Sequence, residues 1–260
     1  MARTLPVFCY HSVSDDPPAW TAPYAVTPRD LARQLRLIRD AGRIVIPLRQ
    51  LVSALRGGPP VPECAAVITF DDGYADFATA AAPLLARHDA PASVFVTTGA
   101  VLPDVPAHGF LPPADMLTAQ QIRELDQADF DIGAHPRTHP HLEAVTLDAV
   151  RREIAESKRE LEDLVGHAVP HFAYPHGRSS RATRRAVREA GFTAACAMGN
   201  VHSSERDDPV RIRRLLVRST TSDQQFRSWV QERPVSRPMR GVQELAWRAL
   251  RRSRPCSRRA

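Results

Sequence analysis

The chain has 260 residues, 43% hydrophobic and 25% charged, enough apolar material for one large domain or two small ones and too much for a mostly disordered chain. Its formal charge of +6 is local, because residues 232–260 hold nine Arg and two Glu and leave 1–231 at −1. That split excludes a body that grips nucleic acid over a basic surface and confines any attraction to polyanions to the tail.

Short β-type runs alternate with helical patterns, starting at LPVFCY, residues 5–10. A helix is expected from Pro28, with Thr27 as its N-cap, Asp30 in its first turn, Leu31, Leu35 and Ile38 on one face, and Gly42 at its end. RIVI at 43–46 reads as a strand, then a short helix runs through Leu48 and Leu55 to Gly57. AAVITF at 65–70 has the continuous apolar character of a strand buried on both faces of a parallel sheet. A helix near 75–88, a strand at 93–98 and a Pro-rich loop at 99–116 follow. Beyond them the pattern predicts helices near 118–128, 146–165 and 179–190, strands at 130–134, 171–174, 192–197 and 212–217, and a last helix in TSDQQFRSWV. The series is an α/β domain over 1–231, a barrel or an open sheet, with an Arg-rich C-terminal helix and tail at 232–260. Cys9, Cys64, Cys196 and Cys256 form no CxxC pair and give no reason to invoke a thiolate zinc site. No apolar run suits a secretory or membrane-spanning segment, so the cytoplasm is the expected location. The tail adds a secondary expectation of weak peripheral contact with an anionic membrane, and no recognition motif for a specific nucleic acid accompanies it.

Polar clusters follow several of these strands: His11, Asp71-Asp72-Gly73, His135 with His139, Tyr174-Pro175-His176-Gly177, and less distinctively His202. Strand ends on one face of an α/β fold are where ligand sites form. A turn at Gly73 can bring two adjacent carboxylates to one cavity with different tasks, one for a metal and one for a proton. His135 and His139, four residues apart, can share a metal from a helical turn or from a loop held by Pro136 and Pro140, and two imidazoles with one carboxylate suit Zn²⁺ or another transition metal and leave positions open. Each cluster also has a bland reading, as an Asx turn, surface polarity or a buried hydrogen-bonded histidine.

In order along the chain, PVFCYHSV at 6–13, TFDDG at 69–73, HPRTHP at 135–140 and FAYPHG at 172–177 resemble the signatures of the polysaccharide deacetylase family, also called the NodB-homology or carbohydrate esterase family 4 group. The resemblance implies a distorted (β/α) barrel of about seven strands. It implies a metal-dependent hydrolase that removes an N-acetyl or other N-acyl group from an amino sugar, oligosaccharide or glycoconjugate. In that reading Asp71 is the catalytic base, Asp72, His135 and His139 hold one divalent ion, expected to be Zn²⁺, and His176 and Tyr174 lie at the oxyanion or substrate. Three departures stand out. Ala173 occupies the position where the family often has an Arg that orients the catalytic Asp, His176 replaces a common Tyr, and no late Leu-x-His motif is present; RIRRLLV at 211–217 instead resembles the RIxRxxV-like end of the branch with the YH opening. The proton donor is therefore assigned to His11. The alternatives are a metal-dependent O-acetyl carbohydrate esterase and a noncatalytic carbohydrate-binding protein.

Overall fold

The six residues of β6 (Ala65–Phe70) are all buried, and successive side chains enter different cores. Ala66, Ile68 and Phe70 join a large cluster with residues of the surrounding helices, whereas Ala65 and Val67 join a second one with Val7, Phe95 and Ile212. That period-two split is what a strand covered on both faces requires. A computed structural model describes residues 3–102, 111 and 114–232.

Before β6 come β1 (Thr4–Leu5), β2 (Val7–Tyr10), β3 (Ser12–Val13), β4 (Ala25–Val26), α1 (Pro28–Asp40), β5 (Ile44–Val45) and α2 (Leu48–Leu55). After it come α3 (Ala82–Arg87), β7 (Ser93–Thr97), α4 (Thr98–Val101), α5 (Ala119–Gln127), β8 (Asp131–His135), α6 (Leu147–Val165), β9 (His171–Ala173), α7 (Arg181–Glu189), β10 (Ala194–Cys196), β11 (Ser203–Ser204), β12 (Leu215–Leu216) and α8 (Asp223–Val230). The main sheet is parallel, in the order β10-β9-β8-β7-β6-β2-β12, with β5 also paired to β6. The segment after β11 curls this sheet into a distorted barrel. Ile212 exchanges backbone hydrogen bonds with Ala195 and Ala197 beside β10, and three residues later Leu215 pairs with Phe8 of β2.

The strand expected over 212–217 is therefore reduced to Leu215–Leu216, because the chain changes partners between Ile212 and Leu215. The expected helix at 75–88 opens as a wide turn over Phe77–Ala81. Pro83 has no N–H to give to the carbonyl four residues back, and the Ala82 N–H reaches Phe77 O instead. The start of the expected loop at 99–116 is helical as α4, while 103–110 and 112–113 lie outside the described residues, as do Cys256 and the tail beyond Glu232. The helix caps follow the sequence: the Thr27 and Thr146 hydroxyls accept the Asp30 and Ala149 N–H groups, and Thr118 forms a capping box with Gln121. Among the described residues no helix is long and apolar enough to cross a membrane.

Candidate metal centre and catalytic cavity

The register of the parallel strands brings the motifs to one mouth. Tyr10 of β2 lies opposite Phe70 of β6, and the Asp71 N–H donates to Tyr10 O, so His11 and Asp71 leave neighbouring strands at the same level. Thr97 of β7 lies opposite His135, the last residue of β8. His11, Asp71, Asp72, His135, His139 and His176 all line one cavity of about 320 Å³.

Asp72 and Gly73 both have positive φ, 75° and 85°, and this turn separates the two carboxylates. Asp72 Oδ1 faces His135 Nε2 at 3.5 Å and His139 Nε2 at 3.4 Å, and the three side chains are buried. His139 is delivered by a loop, not a helical turn. Between the two imidazoles, Arg137 donates to Glu160 and Thr138 to Glu153, which tie the HPRTHP segment to α6 and fix the position of His139.

The hydrogen bonds around these three groups leave their facing atoms open to a cation. His135 Nδ1 sits 2.6 Å from Ala173 O, a carbonyl that can only accept, so Nδ1 donates there and the ring is turned with Nε2 toward Asp72. Burial pushes His139 down to about 4, which keeps it neutral at neutral pH. Asp72 Oδ1 has no hydrogen-bond partner. Separations of 3.4–3.5 Å are too long for good hydrogen bonds. They match the edge of a tetrahedron whose metal bonds are about 2.0–2.1 Å, for which neighbouring ligands lie roughly 3.3–3.4 Å apart. The site thus fits a divalent ion.

Asp71 is held for a different task. Arg214, fully buried, donates from both terminal nitrogens to the two Asp71 oxygens at 2.7 and 2.6 Å, and also bonds Thr69 Oγ1 at 3.0 Å. Burial acts to raise Asp71, yet the Arg214 charge and hydrogen bonds hold its carboxyl below the usual range. Cys9, His11 and Asp71 also place possible ligand atoms within 4.8 Å of one another. Arg214 pairs with both Asp71 oxygens and would repel a cation there, so of the two groups the one with Asp72 fits an ion better.

Arg214 is a site residue the sequence reasoning did not assign. It is the second Arg of RIxRxxV, and the signal was a charge placed next to apolar LLV, which can be buried only with a partner. With Ala173 in the usual position of the orienting Arg, the barrel supplies the guanidinium from the segment before β12, and Ala173 contributes its carbonyl to His135. Trp20, Tyr24, Tyr74, Met198 and Arg218 also line the cavity and were not singled out from the sequence.

Tyr174, expected at the substrate, is a correction. It shares the face of Phe172, two residues earlier, packs edge-on against that ring, and its hydroxyl donates to Val210 O; it is fully buried and does not line the cavity. His176 does reach the cavity, with φ at 55°. Its ring stacks on His141 at 3.8 Å and meets His139 edge-on at 4.8 Å, a buttress for the proposed ligand, and burial lowers its pKa to about 3. His11 borders the cavity beside Tyr24, and its Nδ1 has no hydrogen-bond partner. His202 faces away and bonds Trp229 O.

The model of the polysaccharide deacetylase family matches residues 58–195. Among curated proteins, the putative polysaccharide deacetylase YxkH of Bacillus subtilis is 25% identical over 189 residues, 72% of this chain and 62% of that protein. The poly-beta-1,6-N-acetyl-D-glucosamine N-deacetylase of Escherichia coli is 37% identical over 102 residues, 36% of this chain and 15% of that protein. The chain spans less than two thirds of the length of either relative. Among solved structures, the Streptococcus pyogenes deacetylase PplD matches with a TM-score of 0.76 at 23% identity, over 90% of this chain and 100% of that one. IcaB from Ammonifex degensii matches with a TM-score of 0.74 at 24% identity, over 88% and 97%. These structural likenesses establish the fold.

Proposed function

Because the chain belongs to the polysaccharide deacetylase family, we propose that its 1–231 portion is a metal-dependent hydrolase that removes an N-acetyl group from an amino sugar within an oligosaccharide or glycoconjugate. The observation that carries this reading is the division of labour between adjacent carboxylates: Asp72 faces the Nε2 atoms of two imidazoles, while Asp71 is clamped apart from them by Arg214. A divalent ion bound by Asp72, His135 and His139, most simply Zn²⁺, would supply Lewis-acid polarisation of the acyl carbonyl and an acidified water.

This chain's own residues do the rest. Asp71, kept ionised and oriented by Arg214, accepts the proton of the attacking water. The backbone N–H of His176 donates to the carbonyl oxygen as it gains charge, a contact worth more in the transition state than in the ground state. His11 gives a proton to the departing amine, which leaves poorly without one. Trp20, Tyr24 and Tyr74 supply apolar faces for a sugar ring at the mouth.

Acetate release from matched N-acetyl and O-acetyl glycosides by metal-loaded protein tests the reading. Turnover of the amide supports it. Fast ester cleavage with negligible amide hydrolysis across a panel of glycans would make the protein an O-acetyl esterase, and glycan binding with neither activity would make it a noncatalytic binder.

A further inference from the structure

Among the described residues, Arg218 is the one cavity-lining Arg or Lys, and the proposed chemistry does not use it. It follows β12 in a closed turn: its N–H donates to Thr221 Oγ1 at 2.9 Å and its carbonyl accepts the Thr221 N–H at 2.9 Å, while the preceding Val217 N–H donates to Cys9 O. The exposed guanidinium rests 5.1 Å over the Tyr24 ring, whose centroid is 5.4 Å from that of His11. Stacking occupies the face of a guanidinium and leaves its edge N–H groups available to a planar oxyanion. No ion pair among the described residues involves Arg218. Asp71 is already matched by Arg214, and Asp72 is directed at the imidazoles, so neither acid of the cavity compensates Arg218.

We propose that the substrate carries an anionic group, a carboxylate or a phosphate, close to the sugar that is deacylated, and that Arg218 selects for it. The inference rests on the deacetylase reading and narrows its substrate class. A neutral glycan would leave this stacked guanidinium without a countercharge, whereas an oxyanion would meet its free edge in a charge-assisted, fork-like contact.

Three N-acetylated oligosaccharides of equal length, one neutral, one bearing a uronate and one bearing a phosphate ester, are assayed with metal-loaded wild type, Arg218→Gln and Arg218→Lys. Wild type is expected to prefer at least one anionic substrate, and the two anionic arms identify which oxyanion is read. Arg218→Gln should lower the anionic-to-neutral ratio of kcat/KM by roughly 10–100-fold, chiefly through KM, the scale of losing a charge-assisted hydrogen bond. Arg218→Lys should restore part of that ratio. A preference for the neutral substrate, or equal losses on all three, overturns the proposal while leaving deacetylation intact. If no substrate is deacetylated, the broader reading fails, and calorimetric binding of the same three oligosaccharides still decides this one: an Arg218-dependent preference for an anionic ligand supports it, and no such preference overturns it.

Discussion

Replacing Arg214 by Met keeps most of the stem's volume and removes the guanidinium, leaving Asp71 buried without a countercharge. The lost contacts are the bonds of 2.7 and 2.6 Å to Asp71 and the 3.0 Å bond to Thr69 Oγ1. Breaking one partner of a buried ion pair costs about 3–5 kcal/mol. In a domain of this size that lowers Tm by about 6–20 °C. The penalty arises from the stranded charge, so Asp71→Asn combined with Arg214→Met should be more stable than Arg214→Met alone. The pH dependence has a definite sign. In the wild type the Asp71 pKa is lowered, so the pair's contribution is complete above the unfolded carboxylate value of about 3.9 and is lost as pH falls through the folded value. In Arg214→Met burial remains to raise the pKa, so the gap between variant and wild type should narrow as pH falls from about 8 to about 5. Urea unfolding of the metal-free proteins across that range measures all three effects. A cost below about 1 kcal/mol, a double variant less stable than the single, or a gap that does not change with pH would refute the clamp.

His11→Ala should retain metal and fold by circular dichroism but lower amide turnover about 10²–10⁴-fold, with an activated ester less affected; equal losses on both substrates would make His11 structural. Tyr174→Phe should cost about 1 kcal/mol in denaturant unfolding through the lost bond to Val210 O and change kcat/KM less than about threefold; a tenfold kinetic loss would return Tyr174 to the substrate. Gly177→Ala should cost about 1–3 kcal/mol in the same measurement, because Gly177 has φ of 65° and an added Cβ would lie 2.0 Å from Met198 Cβ; unchanged stability would show that this turn yields easily.

The parts of the architecture set by local chemistry could be read in advance: the Thr27 cap, the doubly buried β6, and the polar residues after β2, β6 and β8. What escaped depends on partners distant in sequence or on backbone geometry. Arg214 and Asp71 are 143 positions apart, and nothing local links them. The expected strand at 212–217 breaks because Ile212 and Leu215 serve opposite ends of the sheet, a requirement of barrel closure. Asp72, His139 and His176 adopt left-handed backbone conformations that cost non-glycine residues about 1–2 kcal/mol each, and the modest preference of Asp and His for that region does not say which of them will adopt it. Tyr174 is different, since alternation along HFAY puts it on the face of Phe172 and away from Ala173, whereas the family resemblance implies a place at the substrate.

The separation of metal binding from proton transfer is tested most directly by measuring bound metal and acetate release together in Asp72→Ala and Asp71→Asn. The expectation is that wild type binds about one divalent ion per chain, that Asp72→Ala loses both the ion and turnover, and that Asp71→Asn keeps most of the ion while turnover falls at least about 10²-fold. Full activity in Asp72→Ala after verified metal removal, or an Asp71→Asn protein that loses its ion as readily as Asp72→Ala, would contradict it.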